Sequence, residues 1–243
     1  MRTFLITNDD GIESDGLVRL ARAAKEFGDV WVVAPDGERS AASHSLSLKK
    51  PIDVYPAAFP VEGVHAFSCS GTPADCIRVG SLNIMPRRPD AVLSGINYGY
   101  NAGTDLQYSA TAGAALEASF QGFPAAALSE DARDCHEVTD AYLSGILRMF
   151  LEMSFPGSRF LPGQVLNVNF PGCPLASCSG LLEGRTVSRS SFYKDSYDEI
   201  EKLPRGGVRL MVNGAWTGQA EEGTDLRALL DNYVSVGILN NLS

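Results

Sequence analysis

The sequence predicts an α/β fold: a Rossmann-like, mostly parallel sheet flanked by helices, extended towards its C-terminal end by a β-hairpin arm. Two short runs rich in apolar and β-branched residues, Thr3–Thr7 and Asp29–Pro35, bracket a segment of helical periodicity. Strand, helix and strand within about 30 residues make a βαβ unit, whose crossover is right-handed in nearly all cases. From residue 172 onward the character changes, and Cys, Ser, Gly and Arg give way to a polar segment rich in Tyr, Lys, Asp and Glu. An arm that cannot bury much of itself is expected to pack on a second copy of the chain, as in a domain-swapped homodimer or homotetramer. The expected division is a core, 1–171, and an oligomerisation segment returning to it, 172–243.

The first strand runs directly into Asn8, Asp9, Asp10 and Gly11. Adjacent side chains on a strand point to opposite faces, so the two carboxylates converge only if the chain leaves extended geometry here, and Gly11 permits that. Two carboxylates about 4 Å apart repel by roughly 4 kcal/mol at an effective dielectric near 20, so such a pair shares a proton or a cation. A hard divalent cation is the simpler solution. The competing reading has one Asp capping the following helix and the other solvated. That helix carries Leu17, Leu20, Ala21, Ala24 and Phe27 at helical spacing, with Gly28 as its stop.

The second strand ends in a Ser-rich loop, Pro35–Ser47, which lies where open α/β sheets bind ligands, beyond the carboxyl ends of the strands. Residues 50–68 are broken by Pro51, Pro56 and Pro60 and read as edge strands or a hairpin. Gly71, Thr72 and Pro73 form a turn into a helix over Ala74–Leu82, with Pro73 at its first position. Asp90–Ser94 is a third buried strand. It leads into a polar loop, Gly95–Tyr108, whose three glycines could cradle an anion, although the loop lacks the lysine and spacing of a Walker motif. Ser109–Ser119 is a small-residue helix whose N-terminus would direct a positive dipole end at whatever that loop holds. Pro124–Ser129 and Val165–Phe170 read as core strands, Val138–Met153 as an amphipathic helix, Gly207–Trp216 as an arm of the hairpin and Tyr233–Leu239 as a last strand.

Composition narrows the function. A chain of 243 residues with 44% hydrophobic and 20% charged content is an ordinary globular protein with a sizeable core. Its net charge of −9 argues against a broad nucleic-acid-binding face but permits a small phosphate ester held at a metal. No apolar run reaches membrane-spanning length and no basic leader precedes the first strand, so a cytoplasmic protein with no membrane partner is expected. Five cysteines do not suggest a disulfide framework, and Cys173 and Cys178 read as free thiols rather than zinc ligands.

Four ordered motifs, TNDDGIESDG at 7–16, APDGERSAASHSLSL at 34–48, SGTPADC at 70–76 and SGINYGYNAGTDLQYSATAGAALEA at 94–118, together resemble the SurE family of stationary-phase survival proteins. GTDLRALLDNYVSVGIL at 223–239 continues the resemblance to the end of the chain. The resemblance implies a metal-dependent nucleotidase with one divalent metal ion, Mg²⁺ or Mn²⁺, per subunit. It implies that Asp9, Asp10, Ser40 and Asn97 ligate the metal, a set of oxygen donors suited to hard cations. It further implies that Asn8 joins the two aspartates in catalysis, and that Ser43, Asn101, Gly103, Thr104, Ser109 and Thr111 line the same pocket around the phosphate. Two departures stand out. Ala110 and Ala112 replace the family's usual glycine and valine, and a methyl at Ala110 would narrow the anion pocket. His44 and Ser47 replace the usual Asn and Thr, with His44 read as a solvated loop residue.

The expected reaction is hydrolysis of a nucleoside 5′- or 3′-monophosphate. Water or a side chain could attack phosphorus, but the adjacent aspartates lack the Asp-x-Asp spacing of aspartyl-phosphate enzymes. The rival from another class is a non-catalytic nucleotide-binding module on a doubly wound sheet, against which the unneutralised carboxylates count.

Overall fold

The computed structural model of the chain describes residues 1–157 and 159–240. Its central sheet has nine strands. In chain order these are β1 (Arg2–Thr7), β2 (Gly28–Pro35), β3 (Val54–Pro56), β4 (His65–Cys69), β5 (Ala91–Tyr98), β6 (Ala125–Glu130), β7 (Gln164–Phe170), β8 (Gly180–Leu182) and, after the arm, β11 (Tyr233–Asn240). Their spatial order is β3-β4-β2-β1-β5-β6-β7-β11-β8. The six strands from β4 to β7 are mutually parallel, whereas β3 closes one edge antiparallel to β4 and β11 lies antiparallel to β7. Parallel strands covered on both faces read as continuous apolar runs, as Phe4–Ile6 and Ala125–Leu128 do.

Helices α1 (Asp15–Ala24) and α4 (Glu137–Ser154) cover one face, where Leu17, Leu20, Ile146 and Phe150 meet Phe4, Ile6, Leu93 and Leu166. On the other face lie α2 (Pro73–Val79) and α3 (Ala110–Phe120), with Cys76, Ile77, Ala112 and Ala115 against Leu5, Val33 and Val92. The small side chains of α3 are what allow its close approach to the sheet. A short helix, α5 (Asp225–Leu230), packs on β11 and β7.

The fold is the expected one, with local differences. The α1 helix ends at Ala24, and Gly28 opens β2 instead of stopping the helix. A Cβ at Gly28 would come within 2.4 Å of the Arg2 carbonyl oxygen, so it is β1 that requires glycine there. The α2 helix is shorter than predicted and passes into a single π-helical turn, Gly80–Ile84. β5 runs to Tyr98 and so absorbs the first part of the predicted Gly95–Tyr108 loop, with an irregularity in its register against β6 between Ser94 and Asn97.

The arm is a two-stranded antiparallel hairpin, β9 (Tyr193–Lys202) and β10 (Val208–Trp216), exposed along its whole length. It presents Tyr197, Ile200, Leu210, Met211 and Val212 to solvent. No helix among the described residues is long and apolar enough to cross a membrane, and all five cysteines are free.

Phe150 is completely buried between α4 and the sheet. Phe150→Ala should lower unfolding free energy by about 3–5 kcal/mol, read from urea denaturation, because the rigid sheet cannot collapse onto the space left behind.

Candidate active site

At the carboxyl end of β1, Gly11 takes a φ of +102°, and the chain turns back so tightly that a Cβ there would meet the Gly37 backbone at 3.2 Å. The Ile12 N–H donates to the Pro35 carbonyl at 2.8 Å, tying this turn to the end of β2. Ser14, not an aspartate, caps α1 by accepting from the Leu17 N–H. The Asn8 amide nitrogen donates to the Gly11 carbonyl at 2.9 Å and to Ser14 Oγ at 2.7 Å. Its Oδ1 is buried without a hydrogen-bond partner. Both aspartates are thereby freed from capping.

Three other segments converge on the pair. Thr111, in the first turn of α3, donates its hydroxyl to Asp9 Oδ1 at 2.5 Å. The Arg39 N–H donates to the Asp9 carbonyl at 2.7 Å, which brings Ser40 to within one residue of Asp9. The Tyr98 N–H donates to Asp10 Oδ2 at 3.2 Å, which places Asn97 beside Asp10. The Asn97 amide nitrogen is itself committed to the Gly99 carbonyl at 2.7 Å, so its Oδ1 is the atom left to accept or ligate.

Burial pushes the Asp9 carboxyl above its ordinary range, against the hydrogen bond from Thr111. Burial and then the neighbouring Asp9 push Asp10 up to about 6. Neither carboxylate has a cationic partner among the described residues. A buried and a half-buried carboxylate without a counter-charge, an orphaned amide oxygen and a free Asn97 Oδ1 fit a hard divalent cation, which takes oxygen donors of these types.

The remaining predicted site residues occupy supporting positions. Ser109 caps α3 by accepting from the Ala112 N–H at 2.9 Å. Ser43 donates its hydroxyl to the Gln107 carbonyl and its N–H to the Tyr108 carbonyl. Asn101 is buried and pinned to Ser129, Asn167 and Asn169 through its side chain, N–H and carbonyl. The Gly103 N–H donates to Asp225 at 2.9 Å, and the Thr104 N–H to the Ser190 carbonyl at 3.1 Å.

Two expectations change. The glycines of the 95–108 segment do not form an anion cradle, because the Gly99 N–H donates to the Glu130 carbonyl and that of Gly103 to Asp225. Gly95 and Gly103 are needed for close approach: a Cβ would fall 2.2 Å from the Leu128 oxygen and 2.4 Å from the Ser190 oxygen. His44 is not a solvated loop residue either. Its Nε2 lies 2.8 Å from Glu117 Oε2, and its ring stacks on Phe120. Arg78 donates to the other oxygen of Glu117 at 2.7 Å. Burial opposes the charge on Glu117, but the hydrogen bonds from Arg78 and His44 outweigh it and hold the carboxyl below its usual range.

Sequence reasoning assigned no role to Asp75 or Glu130. Asp75 forms a capping box with Thr72 and also accepts from the Ser47 N–H at 3.0 Å, clamping the Ser-rich loop to α2. The Thr-x-x-Asp spacing at 72–75 was the available signal. Glu130, at the end of β6, is buried against Arg19 and His136. Arg19 comes from a distant part of the chain, and a His six residues on matches no motif spacing, so neither marks Glu130 locally.

The comparisons with known proteins agree with this geometry. The family model described as "Survival protein SurE" matches residues 4–192. A 5′-nucleotidase SurE of Geobacter metallireducens is 36% identical over 96% of this chain and 88% of its own length. A 5′/3′-nucleotidase SurE of Escherichia coli is 37% identical over 96% of this chain and 87% of its own. The crystal structure of the SurE protein from Aquifex aeolicus superposes with a TM-score of 0.80 at 33% identity, covering 99% of this chain and 94% of that one. With the family's model spanning the carboxylate turn, the Ser-rich loop and the α3 N-terminus, this chain belongs to the SurE family.

Proposed function

We propose that this chain is a phosphoric monoester hydrolase that converts nucleoside 5′-monophosphates, and also 3′-monophosphates, to nucleoside and phosphate with one Mg²⁺ or Mn²⁺ per subunit. The observation that carries the reading is the convergence of Asp9, Asp10, the Asn97 amide and the Ser40 loop through hydrogen bonds from Thr111, Tyr98 and Arg39. The nucleotidase names of relatives that align with nearly the whole chain support it. Nothing in the site favours a non-catalytic nucleotide-binding module, since a phosphate would meet two unneutralised carboxylates.

In this reading Asp9, Asp10, Ser40 and the Asn97 Oδ1 hold the cation, which supplies Lewis-acid neutralisation of phosphate charge when bound. Thr111 fixes the Asp9 carboxylate, leaving its second oxygen to bind. Asp10 or Asp9 accepts the proton of the attacking water, and the Asn8 Oδ1 orients that water as a hydrogen-bond acceptor. Ser109 and Thr111, on the first turn of α3, present the positive end of the helix dipole to the transferring phosphoryl group. Ser43, Asn101, Gly103 and Thr104 hold the walls of the pocket. Ala110, fully buried at the first position of α3, sets how closely the phosphate approaches that helix. The reading also takes 1–171 as the catalytic core and 172–243 as the segment that assembles a cytoplasmic homodimer or homotetramer. The exposed apolar residues of the hairpin support that division, as a lone two-stranded hairpin is at best marginally stable in water.

Phosphate release from a panel of nucleoside monophosphates should require Mg²⁺ or Mn²⁺, stop with EDTA and vanish in Asp9→Asn. Metal-independent release would overturn the proposed role of the carboxylates. Thr111→Val should weaken metal affinity by roughly 10- to 100-fold, measured by calorimetry, as loss of a partner that orients a ligand does.

A carboxyl whose pKa is raised on folding destabilises the native state fully above that pKa, and the cost is relieved progressively as pH falls from it to the unfolded value. Asp10, raised from 3.8 to about 6, is therefore unfavourable at pH 7.5 and largely protonated at pH 5.0. Mn²⁺ should raise Tm markedly more at pH 7.5 than at pH 5.0, because binding both relieves the repulsion and competes with the proton. Equal shifts at the two pH values would contradict this linkage.

Replacing 194–215 with a short glycine linker should convert the oligomer to a smaller species by light scattering. An unchanged mass would exclude the arm as the assembly element.

A further inference from the structure

One buried cation stands close to the carboxylate turn without pairing to it. Arg19, on the second turn of α1, has a side chain only 11% exposed, and all three of its guanidinium nitrogens donate. Its Nε donates to Asp15 at 2.6 Å, its Nη1 to Asp140 at 3.1 Å and its Nη2 to Glu130 Oε1. The Asp15 and Asp140 side chains are 73% and 59% exposed, so their ion pairs are screened and weak, whereas Glu130 is buried. The His136 Nδ1 lies 3.1 Å from the same Glu130 oxygen. Glu130 is therefore the anchor of a cage that joins α1, the end of β6 and the start of α4. Its Oε2 is buried without a partner among the described residues, so Glu130 is costly to stability and calls for another explanation.

The cage borders the proposed metal centre. A cavity of about 280 Å³ is lined by Arg19, Glu130 and His136 and equally by Asp10, Ser14 and Tyr98. The register of β5 against β6 sets Glu130 opposite Tyr98, whose N–H donates to Asp10, and the Gly99 N–H donates to the Glu130 carbonyl. The charge on Glu130 is also felt at Asp10, where it adds to the rise that burial, Asp9 and Glu38 produce. A guanidinium on a long stem thus shares a cavity with a carboxylate that has no counter-charge. Pairing of the two would be strong, because the arginine fork matches a carboxylate in two parallel hydrogen bonds. The three carboxylates of the cage hold Arg19 out of that pairing.

We propose that Glu130 is a positioning residue for the metal centre and that it acts through Arg19: it keeps the guanidinium in the cage and so leaves Asp10 open to the cation. Without the Glu130 charge, Arg19 turns into the shared cavity, pairs with Asp10 and competes with the metal. The inference rests on the reading of Asp10 as a metal ligand and adds to it the residue that protects this ligand from the chain's own cation.

Calorimetric titration with Mn²⁺ alone tests the proposal. Glu130→Gln keeps the shape of the side chain and removes its charge, and it should weaken binding roughly 10- to 100-fold, the range for loss of a group that supports a metal ligand. Arg19→Met should bind Mn²⁺ at least as tightly as the unmutated protein. Adding Arg19→Met to Glu130→Gln should restore binding to within about twofold, since it removes the competing cation. A merely structural role for Glu130 predicts a double variant as weak as the single one or weaker, and that result would overturn the proposal. An unchanged affinity in Glu130→Gln would overturn it too. If Glu130→Gln does not fold by circular dichroism, Glu130→Asp, which draws the charge back by one methylene, takes its place. A loss there that Arg19→Met recovers supports the proposal, and no loss or no recovery overturns it. Absence of Mn²⁺ binding to the unmutated protein, or binding that persists in Asp9→Asn, would overturn the metal reading and the proposal with it. Binding that Asp9→Asn abolishes but that Arg19 and Glu130 do not govern would overturn the proposal alone.

Discussion

The site depends on keeping two adjacent carboxylates, Asp9 buried and Asp10 half-buried, side by side where β1 leaves the sheet. Such a pair about 4 Å apart repels by roughly 4 kcal/mol at an effective dielectric near 20, and burial adds to the cost of charging it. The chain meets this with dipoles rather than charges: the Thr111 hydroxyl on Asp9 and the Tyr98 N–H on Asp10. A lysine or arginine placed there would neutralise the pair and leave little attraction for a divalent cation. Partial charges fix the geometry and leave the negative potential in place. The three elements that supply the contacts, β5, α3 and the loop after β2, are therefore the ones whose positions matter most.

The loop after β2 is the least regular of the three and the most heavily anchored. Ala41 and Ser43 hold φ values of +57° and +52°, a conformation that costs non-glycine residues on the order of 1–3 kcal/mol each and persists only where surroundings impose it. The Ser43 N–H and hydroxyl are bound by the Tyr108 and Gln107 carbonyls, the Ser45 carbonyl by the Thr72 hydroxyl, and the Ser47 N–H by Asp75. His44 reaches across to Glu117, which Arg78 also holds. Gly113 lets the loop seat on α3, since a Cβ there would fall 2.7 Å from the Ser43 oxygen. The motif at 70–76 thus contributes no reacting group. Its capping box turns α2 into a fixed post to which the Ser40 loop is tied.

What the sequence made legible follows from which interactions are local. Strands β1, β2 and β7 and helices α1 and α4 announce themselves by apolar period, and the carboxylate turn by an Asp pair before glycine. The end of β5 was hidden because Gly95, Asn97 and Gly99 look like loop residues. Gly95 and Asn97 sit in the strand because Gly95 must pass within van der Waals contact of the Leu128 carbonyl, a constraint imposed by β6 and invisible in the local pattern. What holds Asn101 and Gly103 in place is hidden for the same reason. Their polar groups answer to Asn169 and Asp225, well over sixty residues away in the chain. His44 looked solvated because its partner, Glu117, lies 73 residues away in a helix made mostly of small residues.

The C-terminal segment is tied to the 101–107 segment more tightly than its polar composition suggests. β11 joins the sheet against β7, and α5 places Asp225 under the 103–107 turn, where its carboxylate accepts from the Gly103, Ser188 and Leu226 N–H groups. Burial raises the pKa of that carboxyl, so the three donors are what make its charge tolerable. The Ser190 carbonyl holds the Thr104 N–H, and two residues later Phe192 stacks on both Tyr100 and Trp216 at the base of the hairpin. A displacement of the hairpin base would therefore pull on Ser190 and Thr104 before it reached any carboxylate. The hairpin and the 101–107 segment are linked through this one short stretch, 188–192, rather than through the sheet.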